Sequence, residues 1–436
     1  MNRFQSWGCY PKAEHEISSV RWTDTGLPDS EEKTVLPYGL GRSYGDSCLN
    51  DGQTLIETSG LSRFIAFDQK KGFLRCEAGV TLDEVLKLIV PNGWFLPTTP
   101  GTKFITIGGA IANDIHGKNH HVAGTFGCSV RALELLRSDG SRTRCTSRSN
   151  VDLFKATIGG LGLTGLITWA EFKLKKIDNA WIQTESIKFA GISEFLELSK
   201  ESDKEWEYTV SWIDCVAQGD SMGRGIFMRG NHSPASVLSR KVHAEPKFRT
   251  PFNCPNILLN PFSIKAFNTL YYSRQRAKKT VSRVHYDSFF YPLDAIDDWN
   301  RIYGNRGFFQ YQFVIPFEDG LESMEEILGR ISESKQGSFL AVIKTFGTKK
   351  SPGMLSFPKP GITLALDFPN RGDSTLKLFE ELDAIVDSAG GLLYPAKDAR
   401  MSASFFQKTY PQWEEFSAFV DPKFSSSFWR RVTTAS

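Results

Sequence analysis

Three histidines and three glycines lie in the stretch GGAIANDIHGKNHH, which could bind a metal, take part in catalysis or pass close to a cofactor. His116 and His120 are four residues apart, as two metal ligands on one helix would be, and His121 follows. Gly117 would interrupt that helix, and no glutamate completes the HExxH pattern of zinc enzymes. No metal is therefore expected, which leaves a structural histidine or a loop around a cofactor, with His116 near its reactive end.

Three glycine-rich segments precede residue 170: PYGLGRSYGDS, PGTKFITIGGAIANDIHG and TIGGLGLTG. Glycine tolerates positive φ and lets backbone N–H groups approach an anion directly. The three segments together predict a phosphate-bearing cofactor, although tight turns in a β-rich domain would give the same composition. GLGLTG also matches the dinucleotide pattern G-x-G-x-x-G. A helix-like segment precedes it and a strand-like segment follows, however, which is the reverse of the Rossmann order.

The elements that must position these loops form three blocks, and 436 residues are too many for a single core. Residues 1–180 read as short strands and helices, among them a helix after Thr81 with Glu84 completing a capping box. Residues 181–391 carry alternating strands such as GFFQYQFVIP and ITLALDFP, which predict a mainly antiparallel sheet flanked by helices. Residues 392–436 are too few for a domain and should pack back on the first block. The fold class is α+β.

Charge and cysteine usage narrow the choice of partners and compartment. A net charge of +3 is too small to indicate nucleic acid, and seven scattered cysteines suggest neither disulfides nor zinc. The N-terminal residues have no apolar signal region, so we expect a cytoplasmic protein. From Ser236 to Arg283, ten Lys and Arg accompany several aromatic residues and one acid, Glu245. That segment fits contact with an anionic membrane, or simply a solvated basic face.

The segments YGLGRSYGD, LPTTPGT, TIGGAIANDIHGKNHHVAGTFG and ATIGGLGLTGLI together resemble the FAD-binding domain of the vanillyl-alcohol-oxidase-like (PCMH-type) FAD-linked oxidoreductases. The likeness continues through FFQYQFVIP, LSFPKPG and YPAKDAR, so it covers nearly the whole chain. It implies an FAD-binding domain over 1–180, a substrate-binding domain over 181–391, and a C-terminal segment over 392–436 that closes the FAD-binding domain.

The resemblance also implies which residues contact FAD. Some relatives attach FAD covalently through a histidine in the first glycine loop, where this chain has Tyr44, so we expect non-covalent FAD. The implied FAD contacts are Pro37, Tyr38, Gly39, Leu40, Gly41, Arg42, Ser43, Tyr44, Gly45, Asp46, Ser47, Gly101, Thr106, Ile107, Gly108, Gly109, Asn113, Asp114, Ile115, His116, Ile167 and Tyr394.

Oxidation of a secondary alcohol by a flavin needs a positive charge near the reacting oxygen and a route for the hydroxyl proton. By resemblance Lys397, in YPAKDAR, supplies that charge, while His116 serves as base or orients the flavin. In FFQYQF, Gln310 and Gln312 share one strand face, and the resemblance assigns them to the substrate pocket. The other predicted substrate contacts are Lys344, Trp212 and Tyr291, although a core role fits the last two equally well.

Within this family the likeness is greatest to oxidases of polyprenyl-phosphate-linked ribose. It implies oxidation of the ribose 2′-hydroxyl to a keto sugar, with a separate NAD(P)H-dependent short-chain reductase completing an epimerisation to arabinose. The alternatives are a soluble alditol or aldonolactone oxidase of the same fold and a flavin-binding scaffold without catalysis. Either oxygen or a quinone could accept the electrons.

Overall fold

The computed structural model describes residues 4–30, 32–234, 248–250, 252–255 and 258–434. Arg240, Lys241, Glu245 and Lys247 of the predicted basic segment lie outside these ranges. No helix in the described ranges is long and apolar enough to span a bilayer. The same residues contain no group of three or more His, Cys, Asp or Glu side chains that could hold a metal ion.

Within the described residues, the first block contains three small sheets and four α-helices. A parallel sheet has the order β1-β3-β2, an antiparallel sheet has the order β4-β5-β9-β7-β8, and β6 pairs with β10. The strands are β1 (Glu16–Ser19), β2 (Val35–Tyr38), β3 (Thr54–Glu57), β4 (Phe64–Asp68), β5 (Phe73–Glu77), β6 (Trp94–Phe95), β7 (Val130–Leu136), β8 (Arg142–Thr146), β9 (Leu166–Lys173) and β10 (Lys175–Lys176). The helices are α1 (Leu82–Ile89), α2 (Ile107–Ala112), α3 (His120–Ala123) and α4 (Val151–Thr157).

The beginning of α1 is determined by local sequence. The Thr81 hydroxyl accepts a hydrogen bond from the Glu84 N–H, and the Glu84 carboxylate accepts one from the Thr81 N–H, so the predicted capping box is confirmed. The GLGLTG segment lies between α4 and β9, which confirms the helix-then-strand order that excludes a Rossmann loop.

The middle block is built on one eight-stranded antiparallel sheet of order β15-β11-β13-β12-β18-β19-β17-β20. Its strands and those of a short parallel pair are β11 (Trp181–Phe189), β12 (Tyr208–Ile213), β13 (Gly225–His232), β14 (Phe248–Arg249), β15 (Lys279–His285), β16 (Ile296–Asp297), β17 (Phe308–Ile315), β18 (Ala341–Phe346) and β19 (Gly361–Pro369). The helices are α5 (Ile192–Ser202), α6 (Pro261–Ser273), α7 (Tyr286–Phe290), α8 (Gly320–Glu333) and α9 (Asp373–Ser388).

The two faces of this sheet have different neighbours. Phe309, Tyr311 and Phe313 of β17 pack into the core beneath α8 and α9, beside residues such as Ile327 and Leu382. The alternate residues of β17 face the loops of the first block. The predicted split of FFQYQF into an aromatic core face and a polar face is therefore confirmed.

The C-terminal residues contact both blocks. They comprise β20 (Leu392–Leu393), α10 (Ala403–Thr409), α11 (Trp413–Ser417) and α12 (Ser427–Thr433). The short strand β20 pairs with β17, so this segment adds a strand to the large sheet before it returns to the first block. There the Lys423 carbonyl accepts a hydrogen bond from the Val35 N–H, and the Ser427 N–H donates to the Leu49 carbonyl.

Candidate active site

The polar face of the large sheet lies opposite the loops of the first block, and we call the region between these two surfaces the cleft. The register pairs Gln310 with Asp367, Gln312 with Ala365, and Ala365 with Val342, and directly paired residues point to the same face. Lys344 lies two residues beyond Val342 and therefore shares that face. These side chains face the loops of the first block, because Gln312 Nε2 lies 3.0 Å from His116 Nε2.

One end of the cleft holds an acid and a base. Lys397 Nζ lies 3.8 Å from the Tyr44 ring centroid, and Gln310 donates to Asp367 at 2.5 Å. Burial lowers the pKa of Lys397, with the nearby charge of Lys344 acting in the same direction and Asp367 opposing it. Burial also raises the pKa of Asp367, which the Lys397 charge counteracts. The two groups stabilise each other's charged forms.

The other end of the cleft is basic. Burial lowers the pKa of Lys344 to about 8, and burial together with the Lys344 charge lowers the pKa of Lys118 to about 7. Within the described ranges no Asp or Glu forms an ion pair with either lysine. Burial, followed by the Lys344 charge, lowers the pKa of His116 well below its usual value and that of His120 to about 3. Both histidines are thus neutral, and both rings pack on Phe346.

His116 presents one ring nitrogen to the cleft. An amide nitrogen only donates hydrogen bonds, so His116 Nε2 accepts from Gln312 and the ring proton of the neutral imidazole is on Nδ1. Nδ1 is buried and has no hydrogen-bond partner among the described residues. Buried polar atoms are normally satisfied, so this N–H indicates a bound acceptor.

The first glycine loop, residues 37–47, presents several backbone donors. Among the described residues, the N–H groups of residues 39–43 form no hydrogen bond with a protein acceptor. Gly41 has a φ of +60°, a left-handed conformation that favours glycine. A Cβ on Gly39 would lie 2.6 Å from Thr106 Oγ1, and one on Gly45 would lie 1.7 Å from the Asp398 carbonyl oxygen. Glycine thus allows the loop to lie between α2 and the C-terminal segment, with its donors free for an anion.

The second glycine loop has fewer donors available than the sequence suggested. The N–H groups of Ile107 and Gly108 donate to the carbonyls of Val80 and Ala78, and the Gly109 N–H donates to Thr106 Oγ1. The first turn of α2 therefore cannot bind a diphosphate through its backbone, and that role falls to the first loop. Gly108 and Gly109 are half-buried, so a cofactor can still pack against them.

Several predicted FAD contacts have side chains engaged elsewhere. The Asp46 carboxylate pairs with Arg431 at 2.7 Å, and the Tyr38 hydroxyl donates to the Gln5 carbonyl. The Asp114 carboxylate accepts from the Gly127 N–H and from two serine hydroxyls, so it anchors the loop. The side chains of Ile107, Ile115 and Ile167 are buried in the core of the first block.

Other predicted residues border the cleft more directly. Gly101 is exposed, and Asn113 is half-buried, with its carbonyl accepting from the Tyr394 hydroxyl at 2.7 Å. Tyr394 also stacks on Phe357, and its N–H donates to the Gln312 carbonyl. Of the remaining predicted contacts, Leu40, Arg42 and Ser43 carry free backbone N–H groups, and Pro37 and Ser47 stand at the two ends of the loop.

Two predicted substrate contacts, Tyr291 and Trp212, are aromatic side chains that are buried. Tyr291 is only 2% exposed and shares a 2.6 Å hydrogen bond with Thr99, so it belongs to the core beneath that loop and does not line the cleft. Trp212 lies on the cleft face of the sheet opposite Val342, but it is also buried. Its indole N–H donates to the Phe339 carbonyl and its ring packs on Tyr271 of α6.

Three residues of this site, Lys118, His120 and Asp367, were missed by the sequence analysis. Lys118 and His120 stand in the stretch GGAIANDIHGKNHH, where the spacing of His120 suggested only a metal ligand and nothing pointed to Lys118. Asp367 alternates with Ala365 along LALDFP, so strand periodicity already placed it on one face. What the sequence did not show was that this face meets Gln310 and Lys397.

The first glycine loop also reads Gly-Arg-Ser-Tyr-Gly, the spacing of a serine-hydrolase nucleophile elbow. An elbow serine opens a helix directly after a strand. Here Ser43 lies in an irregular loop, and only a three-residue turn of 3₁₀-helix at Asp46–Cys48 follows. The loop is therefore not a hydrolase elbow.

Comparison with known proteins identifies the fold and cofactor. A protein-family profile described as "FAD binding domain" matches residues 27–146. A decaprenylphosphoryl-β-D-ribose oxidase from Mycolicibacterium smegmatis is 36% identical over 413 residues, which cover 91% of this chain and 89% of the relative. The chain belongs to the decaprenylphosphoryl-β-D-ribose oxidase family. It is an FAD-dependent oxidoreductase with the two-domain PCMH-type α+β fold.

Two other relatives of this oxidase family are more distant. An uncharacterised protein from Streptomyces coelicolor is 30% identical over 81% of this chain and 100% of its own length. L-gulonolactone oxidase from Mus musculus is 30% identical over 38% of each chain. The free N–H groups of the first loop fit the diphosphate of FAD, the cofactor of this family.

We predict that this family member holds FAD without a covalent bond. The Tyr44 ring packs against Lys397 and the ring of Phe308, and Tyr44 is not the histidine that forms the covalent link in some flavoproteins. Acid denaturation and centrifugation should leave the yellow chromophore in the supernatant. Flavin absorbance that stays with the pellet would contradict this prediction.

Proposed function

We propose that this enzyme oxidises the 2′-hydroxyl of a polyprenyl-phosphoryl-β-D-ribose to a keto sugar. The observation that carries the proposal is the pair of half-buried lysines, Lys118 and Lys344, at the basic end of the cleft. A free polyol oxidase has no need for two half-buried cations without acidic partners. A phosphodiester supplies the negative charge that this end of the cleft lacks.

The roles of the other residues follow from their positions. When bound, FAD would accept a hydride from the alcohol carbon, and the Asp367 carboxylate beside Lys397 would take up the hydroxyl proton. Lys397 supplies positive charge that stabilises the developing alkoxide, and the amides of Gln310 and Gln312 orient the sugar. Gln312 also fixes the tautomer of His116, so that the Nδ1–H donates to the bound ligand. Of the two roles predicted for His116, this arrangement supports the orienting one.

We further propose that a separate NAD(P)H-dependent short-chain reductase reduces the keto sugar to complete an epimerisation to arabinose. Gly160, Gly162 and Gly165, which resemble a dinucleotide loop, lie between a helix and a strand and do not support a second nucleotide site of Rossmann type. Placement in the cytoplasm, at the inner face of the membrane, agrees with a substrate whose prenyl chain is embedded in lipid.

The test is anaerobic reduction of the flavin by polyprenyl-phosphoryl-ribose, compared with ribose, simple polyols and an aldonolactone. We expect rapid bleaching with the phosphodiester only. Because Lys118 and Lys344 lose their charge above about pH 7 and 8, the KM for this substrate should rise as the pH increases from 6 to 9. Reoxidation by oxygen or by a quinone then identifies the electron acceptor.

Single substitutions test whether Lys118 and Lys344 bind the phosphodiester. Lys344→Met and Lys118→Met should each raise the KM for the phosphodiester by about 10- to 100-fold, the effect of losing one hydrogen bond to a charged group. The exposed Lys349→Met is the matched control and should leave the KM unchanged. Equal bleaching by an uncharged polyol would instead support a soluble alditol or aldonolactone oxidase.

A further inference from the structure

Helix α6 carries an apolar stripe on its outer face. Phe262, Ala266 and Leu270 recur at intervals of four, which places them on one side of the helix. Phe262 is 86% exposed and Leu270 is 72% exposed. Leu258, just before the helix, is also exposed. Large apolar side chains that stand together in water indicate an interaction surface.

The opposite face of α6 is firmly attached to the sheet. Ile264 is buried, and the Asn268 amide donates to Asp214 at 2.9 Å and to the Ser338 carbonyl at 3.2 Å. An Asn260 capping box fixes the first turn of the helix. The helix is therefore held in place, and its outer stripe is not exposed by fraying.

The chain segment that carries the stripe is basic. From Leu258 to Arg283 the sequence contains six basic residues and no Asp or Glu. Lys278 and Lys279 pair with Glu194 and Glu185, while Lys265, Arg276 and Arg283 form no ion pair among the described residues. A basic rim around an apolar stripe is typical of helices that lie in the interface of an anionic membrane.

The same helix also borders the cleft. Tyr271, on its inner face, packs against Trp212 with ring centroids 4.6 Å apart, and Trp212 lies on the cleft face of the sheet. The helix that carries the outer stripe therefore also packs against the cleft wall. A prenyl chain can remain in the bilayer beside α6 while the sugar at its end enters the cleft.

We propose that α6 is an interfacial helix that places this enzyme on an anionic lipid surface, with Phe262 and Leu270 inserted among the acyl chains. The purpose of this contact rests on the proposed lipid-linked substrate, but the binding itself does not. Lys265, Arg276 and Arg283 face the lipid phosphates. The occupant of the stripe is the bilayer and not a protein.

The experiment is co-sedimentation of the FAD-loaded protein with vesicles of phosphatidylglycerol and phosphatidylcholine. We expect binding to these vesicles and little binding to pure phosphatidylcholine. Phe262→Ser combined with Leu270→Ser should weaken binding by about 100-fold, because two apolar side chains no longer enter the lipid. Lys265→Glu and Arg276→Glu should each weaken binding by about fivefold or more, and added salt should do the same.

The matched control is Phe64→Ser combined with Ile65→Ser, another exposed apolar pair that lies on β4. It should bind vesicles like the unsubstituted protein. The proposal is overturned if the α6 variant also binds normally, if the unsubstituted protein does not bind, or if light scattering shows a dimer that the α6 substitutions dissociate. Flavin reduction by substrate dispersed in detergent should be unchanged in the α6 variant, so this assay tests the proposed function separately.

Discussion

Replacement of Lys397 by alanine should leave a folded, FAD-loaded protein whose flavin is reduced by polyprenyl-phosphoryl-ribose about 100- to 1,000-fold more slowly. This is the usual loss when one preorganised group that stabilises developing negative charge is removed. The fold should tolerate the change. Without the lysine, the pKa of Asp367 rises further, so this buried carboxyl takes up a proton and leaves no unpaired charge.

The measurement is anaerobic stopped-flow bleaching of the flavin, with FAD content and thermal unfolding recorded for each variant. Lys397→Met retains most of the side-chain volume and should be as slow as the alanine variant, which separates charge from packing. Lys359→Met changes an exposed lysine, and the flavin of this variant should be reduced normally. A near-normal rate in Lys397→Ala would remove Lys397 from the reaction.

Arg431→Ala should lower the free energy of unfolding by about 3–5 kcal/mol and cause loss of FAD on dilution. Arg431 donates to Asp46 at 2.7 and 2.9 Å and to Asp398 at 2.9 Å, and both carboxylates are buried. Its removal leaves two buried acids without their cation. Asp46 lies in the first glycine loop, so the loop that holds FAD loses its attachment to the C-terminal segment.

Denaturant unfolding of the FAD-free and FAD-loaded forms measures both effects. The control is Lys408→Ala, which removes an exposed ion pair with Asp387 and should cost less than about 1 kcal/mol. If Arg431→Ala retains FAD and unfolds like the control variant, the Arg431 network is not what secures the loop.

Local patterns predicted the elements of this fold well. The capping box of α1 depends on Thr81 and Glu84 alone, and the alternation in FFQYQF depends on a single strand, so neither required knowledge of distant contacts. The position of Tyr291 could not be predicted from local sequence. An aromatic residue in a loop suits a pocket wall and a core equally, and its hydrogen bond to Thr99 arises only in the tertiary structure.

The electrostatics of the cleft were even harder to predict from the sequence, because they depend on tertiary structure. Nothing in the sequence around Lys118 or Lys344 shows that both lysines lie half-buried in the same cleft, because the sheet brings together segments that are far apart in the chain. The Arg431–Asp46 contact joins residues 385 positions apart. The sequence also could not show which backbone donors of the FAD loops are available. The N–H groups of Ile107 and Gly108 donate to the carbonyls of Val80 and Ala78, which follow β5 and meet α2 only in the tertiary structure.

The late return of the C-terminal segment has a consequence for biosynthesis. The first glycine loop is made early, but the Tyr44 N–H donates to the Ala396 carbonyl and Asp46 pairs with Arg431. At about 5–20 residues per second, a ribosome needs on the order of tens of seconds to reach these partners. We therefore expect FAD to bind only after the C-terminal segment has been made, so that cofactor loading is one of the last steps in the maturation of this enzyme.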